Sequence, residues 1–194
     1  YGGSWQVGAG AVFAEYQAIQ WLIDLAGLPD SAGGVFVQGG TIGNLSALVV
    51  ARAEARKKNG NPERWVIACS EEAHSSIVSA ANVMDDDVLK VAVDKDGRLQ
   101  GATVAEAIDH LHSTTKTRVF AVVATSGTTN LGIIDDLKGI GKAAHDRDIW
   151  FHVDGAYGLA ALCAPSVRPM FDGVEAADSF IVDPHKWLFA PFDA

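Results

Sequence analysis

Five short apolar runs punctuate the chain, at residues 65–70, 88–93, 119–125, 149–153 and 179–182. Each is short, rich in β-branched or aromatic side chains, and reads as a buried strand. Around them lie stretches 15–26, 43–59, 75–82, 103–113 and 137–147, whose apolar residues recur at helical spacing. Strands separated by helices pair through crossovers, so the sheet is expected to be parallel. Strands that are apolar on both sides of the pleat need cover on both sides. The expected fold is therefore α/β, a mainly parallel sheet covered by helices on both faces. Ligands in such sheets gather beyond the carboxyl ends of the strands, so the residues that follow each apolar run carry the functional information.

With 194 residues, 48% hydrophobic and 20% charged, the chain has the composition of a globular domain. A formal charge of -9 argues against nucleic acid as a partner, since a phosphate-backbone binder needs a basic face. Cys69 and Cys163 stand apart with no C-x-x-C spacing, which points to neither a disulfide framework nor a metal site and fits a reducing cytoplasm. No apolar run approaches the roughly 20 residues that span a bilayer, so no membrane association is expected. No repeat, low-complexity tract or long linker divides residues 1–194. The chain begins at Tyr1 and stops within a largely apolar stretch, and it reads as a fragment of one larger domain.

Three segments stand where a ligand site belongs. Gln38-Gly39-Gly40-Thr41-Ile42-Gly43-Asn44 precedes a long helical pattern, so its amides could meet an anion such as a phosphate at a helix start; it also serves as a plain turn. It has neither the lysine of a P-loop nor the spacing of a dinucleotide site. Phe151-His152-Val153-Asp154-Gly155-Ala156-Tyr157 ends a strand on a carboxylate, which must be solvated, be paired with a cation or cap the next turn. His152 shares the pleat face of Asp154 and reads as a hydrogen-bonded core histidine. Asp183-Pro184-His185-Lys186-Trp187 places a lysine between apolar runs. There desolvation favours the neutral amine, the form that makes a Schiff base, unless the side chain simply reaches past Trp187 to water.

Together with Glu72-Ala73-His74-Ser75-Ser76 and Thr125-Ser126-Gly127-Thr128-Thr129, these segments occur in the order seen in the group II pyridoxal-phosphate-dependent amino-acid decarboxylases. The chain resembles that family, which includes the aromatic-amino-acid, glutamate and cysteine-sulfinate decarboxylases, over essentially its whole length. The resemblance implies an incomplete large domain of fold type I, with an N-terminal segment and a small C-terminal domain absent. It implies that Lys186 binds pyridoxal phosphate covalently and that Asp154 pairs with the ring nitrogen. It implies that His74 stacks on one ring face, with Ala156 against the other. Thr129 would contact the ring substituents, and Gly40, Thr41, His185 and Asp183 would line the phosphate end. The family commonly has Asn at the position of Asp183, and a carboxylate beside a phosphate is repulsive unless protonated or turned away. Lys186, His74 and Asp154 are the expected catalytic residues.

The implied reaction is decarboxylation of an L-amino acid to an amine, with aromatic substrates slightly favoured and a homodimer as the working form. Another fold type I lyase, or a non-catalytic homologue that binds the cofactor or a partner, is the alternative.

Overall fold

The computed structural model describes residues 4–191; residues 1–3 and 192–194, on which the fragment reading rests, lie outside that range. Its centre is a sheet of five parallel strands, β1 (Trp65–Ser70), β2 (Asp87–Val91), β3 (Arg118–Thr125), β4 (Trp150–Asp154) and β5 (Ser179–Ile181). Their order across the sheet is β2-β1-β3-β4-β5. The helices are α1 (Trp5–Ala26), α2 (Gly40–Asn59), α3 (Ser75–Met84), α4 (Gly101–Thr114) and α5 (Leu137–His145).

The pleat sorts the strand residues into two cores. Val66 and Ala68 of β1 join Val122 and Ala124 of β3, Phe151 of β4, Ile108 of α4 and Ile140 of α5 on one face. Ile67 and Cys69 join Phe120 and Val123, Leu48 of α2 and Ile77 of α3 on the other. The strands are thus apolar on both sides because helices cover both, as their unbroken apolar sequence requires. Burying a side chain of the size of Phe120 or Phe151 contributes about 1.5–3 kcal/mol. A register shift between Val66 and Ile67 against β3 inserts one extra residue, and Phe120 and Ala121 consequently face the same core.

Strand order fixes where the site lies. From β1 the chain moves outward to β2, and from β3 it moves the other way to β4 and β5. The carboxyl ends of β1 and β3 therefore flank the point where the winding reverses, the place where open α/β sheets bind ligands.

Several boundaries differ from the sequence reading. Helix α1 begins ten residues before position 15, with a kink at Gly8 (φ -138°, ψ 34°); ahead of that position Val12 is buried but Trp5, Val7 and Phe13 are exposed, so the core-facing stripe is thin there. Helix α2 starts at Gly40, ahead of its first buried position. Strand β2 stops at Val91, just before the Asp94 turn that accepts from Asp96 and Arg98 amides. Helix α5 ends at His145, and Arg147 turns out to bind Asp109 at 2.8 Å. Three 3₁₀ turns, Gly158–Cys163, Arg168–Phe171 and Val174–Ala176, fill the segment between β4 and β5 where the sequence offers no periodicity.

Candidate active site

Strand β4 ends on Asp154, with His152 two residues earlier on the same face of the pleat. Both reach one residue of α2. The Asn44 amide donates to Asp154 Oδ2 at 2.9 Å, and its carbonyl oxygen lies 2.9 Å from His152 Nε2. The second carboxylate oxygen of Asp154 accepts from the Ala156 amide at 3.2 Å. Asp154 is 6% exposed, and among the described residues no lysine, arginine or histidine forms an ion pair with it. A buried carboxylate held by neutral donors and lacking a protein cation is suited to receive one from a ligand. His152 is fully buried, and burial pushes its imidazole down to about 4, the Asp154 charge opposing that shift in part. The histidine is therefore neutral.

After β5, the turn Asp183-Pro184-His185-Lys186 closes through a bond from the Lys186 amide to the Asp183 carbonyl. Within it Lys186 Nζ pairs with Asp183 Oδ2 at 2.6 Å, the carboxylate nearly buried and the lysine 39% exposed. Asp183 thus faces the lysine. Its backbone amide is tied to the Ala156 carbonyl at 3.0 Å, which joins the turn to the end of β4.

The opening of α2 packs against this turn. Gly39, its N-cap, has φ +87°, a backbone region that L side chains rarely adopt. At Gly40 an added Cβ would stand 3.1 Å from both Asp183 carboxylate oxygens and 3.3 Å from Ile181 Cδ1. Helix and turn thus approach closely at this glycine, and a side chain there would meet the Asp183 carboxylate unless it gave way.

From β1 comes the His74 turn. His74 caps α3: its Nδ1 accepts from the Ser76 amide at 3.2 Å and lies 2.8 Å from Ser76 Oγ. The N-cap is the histidine itself. From β3 comes Thr125, whose hydroxyl is buried without a hydrogen-bond partner among the described residues. A buried hydroxyl left unpaired costs about 1–3 kcal/mol; Thr125 Oγ1 shares this state with Ser126 Oγ, and of the two only Thr125 lines the cleft, where a ligand or water can reach it.

One cleft collects these groups. It is lined by Lys186, Asp183, Asp154, Ala156, His74, Thr129, Gly40 and Thr41, all expected from the sequence, and by Asn44, Ser76, Thr125 and Tyr157, which were not singled out. His185 sits in the lysine turn and is not part of the lining. Tyr157 stacks on Trp187 at the cleft, ring centroids 5.1 Å apart and planes 11° from parallel.

Residues 5–194 match the family model described as the pyridoxal-dependent decarboxylase conserved domain. The chain belongs to the pyridoxal-dependent decarboxylase family. It is 37% identical over 193 residues to an aromatic-L-amino-acid decarboxylase of Bacillus atrophaeus, covering 98% of this chain and 40% of that relative. It is 37% identical over 195 residues to an L-2,4-diaminobutyrate decarboxylase of Rhizobium meliloti, covering 97% of this chain and 38% of that one. Among solved structures it resembles the glutamate decarboxylase domain of a Vibrio parahaemolyticus diaminobutyrate-pyruvate transaminase and L-2,4-diaminobutyrate decarboxylase. That match has a TM-score of 0.89 at 33% identity, over 96% of this chain and 43% of the other. The chain thus spans about two fifths of the length of these relatives.

The residues present fit the cofactor of this family. A pyridinium nitrogen is the kind of cation that Asp154 lacks, Lys186 is a primary amine on the same cleft, and Thr125 offers a hydroxyl without a partner. The start of α2 adds free backbone amides suited to a phosphate.

Proposed function

We propose that this chain is the central part of the cofactor-holding large domain of an amino-acid decarboxylase, which converts an L-amino acid to an amine and carbon dioxide. The observation that carries this reading is the presence, on one cleft, of Lys186 and a buried Asp154 that has no ion-pair partner among the described residues. When bound, pyridoxal phosphate supplies the carbonyl that takes up an amine and the ring that accepts the electrons left by departing carbon dioxide.

The chain's own residues then have definable tasks. Asp154, fixed by the Asn44 and Ala156 N–H groups, holds a proton on the ring nitrogen. Lys186 would anchor the cofactor through its primary amine, and Asp183, 2.6 Å away, pairs with that amine and positions it on the cleft. His74 and Ala156 supply surfaces against which a flat ring packs. Thr125 and Thr129 supply hydroxyls, and Gly40 and Thr41 the amide end of α2. Orientation of the substrate carboxylate, rather than acid–base strength alone, is what such a site contributes.

Aromatic amino acids are the favoured substrates, supported by the names of relatives from Bacillus atrophaeus and Manduca sexta; diaminobutyrate is the competing candidate on the Rhizobium meliloti relative. The working protein is read as a cytoplasmic homodimer. Exposed Trp5, Phe13, Tyr16 and Trp21 along α1 support burial of that helix against further protein, and no described helix is long and apolar enough to cross a membrane.

The test is to incubate the complete polypeptide that carries this chain with pyridoxal phosphate and with aromatic amino acids, glutamate and 2,4-diaminobutyrate in turn, measuring amine and carbon dioxide. Stoichiometric amine and carbon dioxide from one of them supports the reading. Cleavage without carbon dioxide would transfer the site to another lyase, and binding without turnover would leave a cofactor-binding homologue.

A further inference from the structure

The buried polar groups behind Asp154 form one connected series whose hydrogen positions are determined from its carboxylate end. The Asp154 carboxylate can only accept, so Asn44 presents its nitrogen there, and its two N–H groups point to Asp154 Oδ2 and to Ser76 Oγ, each at 2.9 Å. Asn44 Oδ1 then accepts from His152 Nε2 at 2.9 Å, so the proton of the neutral ring sits on Nε2. His152 Nδ1 is left to accept from the Ser179 hydroxyl at 2.8 Å, and Ser179 Oγ accepts in turn from Trp150 Nε1 at 2.8 Å. Ser76, having accepted from Asn44, passes its hydroxyl proton to His74 Nδ1. The Ser76 amide also points at His74 Nδ1, which agrees with an acceptor there and leaves the His74 proton on Nε2.

We propose that Asn44 is the positioning residue of this site: one carboxamide, set by His152, orients both the Asp154 carboxylate and, through Ser76, the His74 imidazole. Asn44 is 1% exposed at the start of α2, and the groups it joins come from β4 and from the first turn of α3. It has no proton to exchange and acts only by holding others. Every hydrogen-bonding site of its side chain nitrogen is used, which accounts for asparagine rather than aspartate here: an acid at this position would set two carboxylates against each other. Glutamine, one methylene longer, would displace one of the three partners. The cofactor-facing part of this assignment rests on the reading under Proposed function; the tautomers do not.

The experiment uses the complete polypeptide labelled with ¹⁵N-histidine. Two-bond nitrogen–proton spectra of the cofactor-free protein report the tautomers of His74 and His152, and titration with pyridoxal phosphate then gives a dissociation constant and an absorbance-against-pH curve. We expect both rings as the Nε2–H form. Asn44→Ala should move both toward the mixture of a free imidazole, raise the dissociation constant about tenfold or more, and shift the absorbance titration. Ser76→Ala, which removes the hydroxyl from His74 Nδ1 but keeps the residue-76 amide there, should shift the His74 nitrogen signals alone, and so tests the series even if Asn44→Ala does not fold. Unmoved tautomers in a folded Asn44→Ala protein, or an unmoved His74 in Ser76→Ala, would overturn the proposal. Nε2–H tautomers without any cofactor uptake would leave the network standing and count against the decarboxylase reading instead.

Discussion

Asn44 and Asp154 are 110 positions apart in sequence, yet the amide of one donates to the carboxylate of the other at 2.9 Å in a buried setting. That contact links the first helix of the site to the end of β4, and it holds a carboxylate that has no protein cation among the described residues.

Removing that carboxylate should cost more than affinity. In Asp154→Ala the Asn44 and Ala156 N–H groups lose their acceptor, and an unpaired buried donor costs about 1–3 kcal/mol. Chemical denaturation without cofactor should show a loss of this size, and titration should show weakened pyridoxal phosphate binding. Unchanged cofactor binding in a folded variant would remove Asp154 from the ring nitrogen.

Gly40→Ala places a methyl group 3.1 Å from both oxygens of Asp183. Since Asp183 is nearly buried and tied to Lys186, helix or turn must shift, at about 1–3 kcal/mol for overpacking. A lower thermal midpoint together with weaker cofactor uptake is expected. A midpoint equal to wild type would mean that the turn yields freely.

His152 gives stability a direction with pH. Its folded value, about 4, lies below the ordinary 6.5 because burial disfavours the charged ring. The unfolded chain therefore binds more protons between those values, and the contribution is complete above 6.5 and lost as pH falls toward 4. Denaturation of wild type and His152→Gln from pH 7 to pH 4.5 should show a steeper fall in wild type, by about 1–3 kcal/mol. Parallel curves would contradict the buried neutral histidine.

Asp135 works in the opposite sense. Burial raises it from 3.8 to about 6, against the pull of the Leu99 and Thr125 amides that it accepts at 2.9 and 2.7 Å. The folded state holds the extra proton between those values, so this contribution is present at low pH and lost as pH rises through about 6. Asp135→Asn should lose the pH-dependent part, about 1–3 kcal/mol between pH 4 and pH 7. It should also be less stable overall, since one amide then faces an NH₂ group. An unchanged slope would place the titration elsewhere.

The strands were legible because each is an unbroken apolar run, the mark of a sheet covered on both faces; β1 and β3 occupy the positions that their sequence predicts, give or take one residue. The segment between Ala156 and Ser179 was not, since 3₁₀ turns have no lasting period to read. At the site, Lys186, Asp154 and His74 stand in local motifs, and the sequence brings them forward. Asn44 lay within the Gly-rich segment, but its importance comes from partners 32, 108 and 110 positions away, which no local spacing encodes. The resemblance implies Thr129, whereas Thr125 stands out only in the structure, where its hydroxyl is buried without a partner among the described residues. Asp183, whose carboxylate looked misplaced beside a phosphate, pairs with Lys186 while its oxygens also stand close to Gly40 at the start of α2.

The most direct measurement is to load the complete polypeptide with pyridoxal phosphate, reduce with borohydride, digest, and locate the modified residue by mass spectrometry, with Lys186→Ala in parallel. A single phosphopyridoxyl adduct on Lys186, absent from a folded Lys186→Ala protein, is the expected result. An adduct on another lysine, or none on a folded protein, would contradict the assignment of Lys186 as the anchor and the decarboxylase reading built on it.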